Sequence, residues 1–261
     1  MNGGTDRDWE RIARRDPYHG VVTDERYRAD RLTEERRREF FQSGADYMTE
    51  VLATVRRHID PGLSIRRALD FGCGVGRLLL PLAKVAGEVT GADVSESMLR
   101  EARRNCEAHS LSNVVLVKSD DQLTALNARY DFIHSFIVFQ HIPLRRGERL
   151  FAGLLERLAD GGVGVVHFTY AKEATRAQRL ATFLRRHLPG SANLINLLRG
   201  RPFLATEMQM NAYDLNHLLL AVQKAAVRDC HVAFTQHGNA YGVVLYFRKP
   251  APRAHADNEA A

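Results

Sequence analysis

Between Ala68 and Lys84 the chain reads ALDFGCGVGRLLLPLAK: an apolar run, three glycines on alternate positions (Gly72, Gly74, Gly76), then leucines at helical spacing. An apolar run that ends in glycines and resumes with a period near 3.6 predicts a buried strand, a tight turn and a helix. The texture then repeats. EVTGAD, NVVLVKSD, YDFIHSF and GVGVVHFTY read as further strands, separated by helical patterns such as Met98, Leu99, Ala102 and Cys106 behind a Ser95 cap, and Arg145 to Leu158. Strands alternating with helices at this spacing predict right-handed crossovers and an α/β fold whose parallel sheet is covered on both faces.

Flanking segments differ from this core. Up to Asp60 the pattern is helical, with Phe40, Phe41, Tyr47, Met48, Val51, Leu52 and Val55 on one side and a stop at Asp60-Pro61-Gly62. We therefore expect an N-terminal helical extension over 1–60, a main domain over 61–250 and a disordered tail over 251–261. A basic, leucine-containing stretch over about 171–210 reads as a lid insertion, with Leu180, Phe183, Leu184 and Leu188 as an apolar stripe. Next, NAYDLNHLLLAVQKAA predicts a helix capped at Asn211, and VRDCHVAFTQ and AYGVVLYFRK, joined by HGN, a hairpin. Leu78, Leu79, Leu82, Val85 and Ala86 make the helix face after the glycines, where Pro81 fits only in the first turn.

Composition limits the function classes. At 261 residues and 45% hydrophobic the chain can build one good core. It contains no apolar run long enough for a bilayer and no secretion-signal pattern at its start, so a cytoplasmic location is expected. Cys73, Cys106 and Cys230 are odd in number and far apart, which predicts reduced thiols rather than disulfides or a thiolate metal site. The formal charge of +6 comes largely from arginine runs in which acids alternate, the pattern of a solvated helix face rather than a nucleic-acid groove. Contact of the basic stripe with a membrane surface stays open.

A glycine turn at the carboxyl end of a parallel strand lets a ligand lie against bare backbone and aims the N–H groups of the next helix at it. Alone it would suit a dinucleotide, a phosphate or a smaller nucleoside. The third glycine of the dinucleotide fingerprint is replaced by Arg77, and Asp93 and Asp120 end the next two strands. Asp93 is placed to accept hydrogen bonds from ribose hydroxyls, Asp120 from a purine amino group, and Asp70 adds acidity suited to a cationic ligand. These features oppose an NAD-linked oxidoreductase.

LDFGCGVG, GADVS, VKSDD, YDFIHSFIVFQHIP and DGGVGVVHF, in this order from about Ala68 to Tyr170, resemble the class I S-adenosylmethionine-dependent methyltransferases. The resemblance implies a Rossmann-like, doubly wound, seven-stranded sheet with one antiparallel strand, and S-adenosyl-L-methionine as cofactor. It further implies that Gly72, Gly74 and Gly76, with Cys73 between them, line the methionine part and that Asp70 helps bind its amino group. Asp93 would take the ribose, Val94 and Met98 would pack on adenine, and Asp120 would receive the adenine amino group with the backbone of Asp121 beside it. Ser135 and Phe136 would close the methionine side.

His141, after the fourth strand, is the candidate general base because imidazole titrates near neutral pH, and Gln140 beside it is a candidate for orienting the acceptor. His134 and His167 lie within strands and read as core, while Tyr213 and Asp214 are placed near the pocket. Gln140-His141-Ile142-Pro143 departs from the Asn/Asp-Pro-Pro-aromatic motif of base-amine methylating enzymes. The expected acceptor is a small-molecule or sugar hydroxyl, as in bacterial tailoring reactions. RNA or N-directed transfer, or a non-catalytic binding module, are the alternatives.

Overall fold

The central strands of this chain bury both faces, which is why they read as unbroken apolar runs, while the two edge strands stay half-exposed. The computed structural model describes residues 3–173 and 209–251. Seven strands, β1 (Arg67–Phe71), β2 (Glu88–Asp93), β3 (Val114–Lys118), β4 (Tyr130–Ser135), β5 (Leu158–Lys172), β6 (Cys230–His237) and β7 (Ala240–Arg248), form one sheet in the order β3-β2-β1-β4-β5-β7-β6. Neighbours from β3 to β5 pair in parallel, and β7 runs antiparallel to both β5 and β6. This is the Rossmann-like architecture expected. The strand order reverses between β1 and β4, so the crevice of this sheet opens beside the glycine turn.

Alternation along each strand divides the core. Leu69 and Phe71 of β1 face a cluster with Phe139, Phe151 and Phe168, whereas Ala68 faces Met48, Val51, Leu79 and Val244. Each fully buried side chain of this size contributes roughly 1.5–3 kcal/mol. A third, smaller cluster joins the N-terminal segment to the sheet domain through Tyr18, Tyr27, Phe40, Val75 and Met98.

Three helices precede the sheet: α1 (Gly3–Arg15), α2 (Pro17–Val21) and α3 (Glu34–His58). The Thr33 hydroxyl caps α3 by accepting from the Arg36 N–H, and Glu34, Glu35 and the closing Arg56, Arg57 and His58 complement its dipole. Its buried Phe40, Gly44, Met48, Val51, Leu52 and Val55 follow the predicted stripe. Helix α5 (Glu96–Ala108) starts at Ser95, whose hydroxyl accepts from the Met98 N–H as expected. α6 (Leu144–Arg157) and α7 (Leu215–Lys224) cover the other face.

Some local expectations need correction. The helix after the glycines, α4 (Leu79–Ala83), is a single short turn. Pro81 sits where no intrahelical N–H partner is lost, and Val85, outside the helix, is 48% exposed. Asp214, not Asn211, caps α7 by accepting from the Asn216 N–H. Asn211 instead donates its amide to the Gln140 and Ile142 carbonyls, and Tyr213 is buried with its hydroxyl on the Phe139 and Ile142 carbonyls. The proposed lid stripe and most of the 171–210 segment, and the tail from 252, lie outside the described residues. Among the described residues no helix is long and apolar enough to cross a membrane.

Candidate functional site

Above the carboxyl ends of β1, β2 and β4 lies a cavity of about 670 Å³. Its floor is the glycine turn. Gly72 (φ +79°) and Gly74 (φ +52°) adopt left-handed backbone, and both line the cavity. A Cβ at Gly72 would stand 2.3 Å from a Val138 methyl, and one at Gly74 2.8 Å from a Val21 methyl, so bare backbone is required at both positions. The loop after β4 closes the opposite side through Phe136, Ile137 and Val138. Ile137 holds φ +58°, costly for a β-branched residue, and this strain falls on the cavity wall.

Asp93 ends β2 on the wall, its two carboxylate oxygens accepting from the Gly74 and Ser95 N–H groups at 2.9 Å each. Burial outweighs these bonds and lifts its carboxyl to about 6. Val94, Met98 and Ser119 continue the wall, and Asp120 joins it. Asp120 is also tied locally: Oδ1 accepts from the Gln122 and Thr124 N–H groups and Oδ2 from the Thr124 hydroxyl, which holds its carboxyl below the usual range.

Five predicted ligand-side residues are not brought onto this wall. Asp70 is buried, with Oδ1 2.9 Å from His134 Nδ1, so its charge is directed at an imidazole. Cys73 is buried, which pushes its thiol well up. The bare side of Gly76 faces Leu80 and Ala102. The Ser135 hydroxyl donates to the Phe71 carbonyl at 2.9 Å, and the Asp121 carboxylate accepts from Arg146 Nε at 2.5 Å. Tyr213 and Asp214 also stay off the wall.

His141 and Gln140 both reach the cavity and are nearly buried. His141 Nδ1 lies 2.7 Å from the Gln209 carbonyl and must donate to it, which leaves the lone pair on Nε2. That nitrogen is 3.1 Å from the Gln140 amide nitrogen, while Gln140 Oε1 accepts from the Thr169 hydroxyl at 2.7 Å. Burial lowers the pKa of His141, so the ring is neutral near pH 7. His134 and His167 are fully buried, and burial drives His167 down to about 3.

The N-terminal extension supplies the roof, through residues that no sequence motif marks. Thr5, Asp6 and Trp9 of α1, Val21 at the end of α2, and Val22 and Thr23 after it line the cavity, and the Trp9 ring meets His141 edge-on at 5.0 Å. Arg146, buried in α6, donates to both oxygens of Asp6 at 2.6 and 2.9 Å as well as to Asp121. Glu10 accepts from the Ser95 and Ser97 hydroxyls, both at 2.7 Å, at the amino end of α5. Burial opposes its charge, but the hydrogen bonds from Ser97 and Ser95 win and hold the carboxyl down to about 2. Asp6 and Arg146 are separated by 140 positions, and no local pattern marks such a pair. Arg77 and His237 also line the cavity without having been assigned to it.

Comparison with known proteins agrees with this geometry. The family described as Methyltransferase domain matches residues 68–162. Magnesium-protoporphyrin O-methyltransferase of Synechocystis is 35% identical over 101 residues, 38% of this chain and 42% of that protein. A 23S rRNA (uracil(1939)-C(5))-methyltransferase of Marinomonas posidonica is 44% identical over 52 residues, 20% of this chain and 12% of its own length. The chain thus spans less than half the length of these curated relatives.

Among solved structures, magnesium protoporphyrin IX methyltransferase from Synechocystis, crystallised with bound S-adenosylhomocysteine, aligns with a TM-score of 0.58 at 18% identity over 95% of both chains. The N-methyltransferase NodS from Bradyrhizobium japonicum aligns at 0.57 and 16% identity, covering 96% of this chain and all of its own. These likenesses concern the fold. With the sheet order and the glycine turn facing a strand-end acid, the domain match identifies residues 68–162 as a methyltransferase domain within a Rossmann-like fold.

Proposed function

We propose that this chain transfers a methyl group from S-adenosyl-L-methionine to a hydroxyl of a small molecule or sugar. The observation that carries this reading is the roofed cavity: about 670 Å³, within the range of small-molecule sites, with the nucleoside features on one wall and Trp9, Phe136 and His141 on another. Relatives named O-methyltransferases, of magnesium-protoporphyrin and of ubiquinone biosynthesis, support transfer to oxygen, and the roof that α1 sets over the cavity supports a small acceptor over RNA.

The residues present fit the cofactor. Gly72 and Gly74 offer bare backbone, Asp93 an acceptor for ribose hydroxyls, Val94 and Met98 an apolar surface for a base, and Asp120 a further acceptor at the β3 end. When bound, S-adenosylmethionine supplies a methyl group already activated on a sulfonium. The chain's contribution is to align the acceptor and exclude water, and such positioning is worth on the order of 7–11 kcal/mol. Trp9 and the Asp6–Arg146 tie close the roof for that purpose.

His141 takes the acceptor's proton at Nε2, with Gln140 yielding its amide hydrogen bond and turning to orient the acceptor. His237 is the second reading. It lines the cavity, packs edge-on against Phe136 and His167, and its ring nitrogens have no hydrogen-bond partner among the described residues. A labelled-methyl screen against phenols, sugars and RNA, run with wild type, His141→Ala and His237→Ala, tests both. Label in a small hydroxyl acceptor, lost on His141→Ala with S-adenosylhomocysteine affinity unchanged, is expected. Loss on His237→Ala instead moves the base, and label in RNA alone overturns the acceptor class.

A further inference from the structure

The cavity has two sides of different chemistry. Around the glycine turn its lining is main chain and carboxylate, through Gly72, Gly74, Asp93 and Asp120. On the other side it is lined by rings: Trp9, Phe136, His141 and His237. The Trp9 ring meets the His141 imidazole edge-on at 5.0 Å. Phe136 is backed by Tyr47 at 4.2 Å, with planes tilted by 36°, and is edged by His167 at 5.1 Å and His237 at 5.9 Å. Hydrogen bonds tie the two ring groups together, from His141 to Gln140 and from Gln140 to Thr169, a neighbour of His167 along β5.

The ring side has little charge and few polar groups to offer. Of the two arginines that line the cavity, Arg146 is held by Asp6 and Asp121, and Arg77 directly follows the glycine turn. Burial lowers the pKa of both His141 and His237, so neither imidazole presents a cation to an anionic acceptor near pH 7. His141 Nδ1 is engaged by the Gln209 carbonyl and Gln140 Oε1 by the Thr169 hydroxyl, which leaves His141 Nε2 and the Gln140 amide to meet one ligand hydroxyl. A pyranose carries several hydroxyls, each costly to bury without a partner. A flat ring with one hydroxyl needs that single polar contact and covers the rest with its faces and edges.

We propose that the methyl acceptor is a neutral, planar phenol, and that Trp9 selects it by lying against its ring while its hydroxyl meets His141 Nε2. This rests on the methyl-transfer function proposed above and narrows its acceptor from hydroxyl compounds in general to phenols. The contact of Trp9 with His141 carries it, because an acceptor whose hydroxyl reaches Nε2 has its carbon skeleton within ring distance of the indole. Trp9 belongs to α1, outside the matched domain of residues 68–162, so acceptor choice resides in the N-terminal extension and the nucleoside wall in the sheet domain. It is also the only tryptophan of the chain, which gives the site a single indole N–H signal of its own.

The test titrates 2-naphthol and methyl α-D-glucopyranoside into the full chain, with and without saturating S-adenosylhomocysteine, by calorimetry and by the nitrogen-15 resonance of the Trp9 indole. Wild type, Trp9→Phe and Trp9→Leu are compared, with thermal melts to confirm folding. 2-Naphthol is expected to bind wild type and shift the indole signal, and the glucoside to do neither. Trp9→Leu is expected to weaken 2-naphthol about tenfold more than it weakens S-adenosylhomocysteine, and Trp9→Phe, which keeps a ring, about threefold. The indole shift needs no variant, so it decides the site even where Trp9→Leu fails to fold. Glucoside binding without 2-naphthol binding, 2-naphthol binding that leaves the indole signal in place, equal 2-naphthol affinity in wild type and Trp9→Leu, or no binding of either probe overturns the inference. A labelled-methyl assay separates it from the reading beneath it. Label in the glucoside and none in 2-naphthol keeps transfer to a hydroxyl and overturns the phenol, whereas 2-naphthol that shifts the indole and takes no label upholds the aromatic site and overturns the transfer reading.

Discussion

The floor and the roof of the cavity are built on different principles. The floor is main chain: left-handed glycines and an acid whose carboxylate is held by two backbone N–H groups, all within a span of the first two strands. The roof is side chain: Asp6 on Arg146, Glu10 on Ser95 and Ser97, Trp9 against His141, each joining α1 to residues far along the sequence. A floor of this kind is preformed and intolerant of added atoms, whereas a roof held by polar ties can open for ligand entry at modest cost.

The sharpest way to break the contrast is Gly72→Ala. The new methyl meets Val138 and forces alanine to φ +79°, so we expect about 3 kcal/mol of lost stability and no measurable S-adenosylhomocysteine binding. Denaturant unfolding and titration calorimetry check both. A variant as stable and as competent as wild type would show that the floor is not rigid.

The roof should respond more gently. Asp6→Asn removes one charge from the Arg146 pairing, and Arg146 keeps Asp121, so about 1 kcal/mol of stability and roughly a fivefold loss in affinity are expected. Added salt should weaken ligand binding to wild type and less so to Asp6→Asn. A loss as large as that of Gly72→Ala would make the roof an equal partner in holding the ligand.

The same division explains what could be read from the amino acids alone. Each strand, the Ser95 cap, the hairpin and the acid at Asp93 follow from short-range rules of period, capping and turn chemistry. Arg146 and Trp9 gave no such signal, because their partners arrive from other parts of the fold. Asp70 misled for a related reason: an acid next to a glycine turn reads as ligand-facing, but strand alternation turns it to His134. Gly76 likewise faces α5, a choice that sequence spacing cannot make. Asn211 lost the α7 cap to Asp214 because tertiary carbonyls at Gln140 and Ile142 claimed its amide.

Asp93 brings stability and binding into opposition. Burial raises its carboxyl to about 6, above the value of a free aspartate, so the unliganded fold is favoured with the proton on and loses that contribution as pH rises through 6. Ribose hydroxyls donate to the ionised form, so binding gains as pH rises through the same window. Titration of S-adenosylhomocysteine into wild type and Asp93→Ala from pH 5 to pH 8 therefore confronts the account at its centre. It predicts tighter binding above pH 6 for wild type, and for Asp93→Ala weak binding that no longer steps near 6. Equal affinity of the two proteins at pH 8 would contradict it.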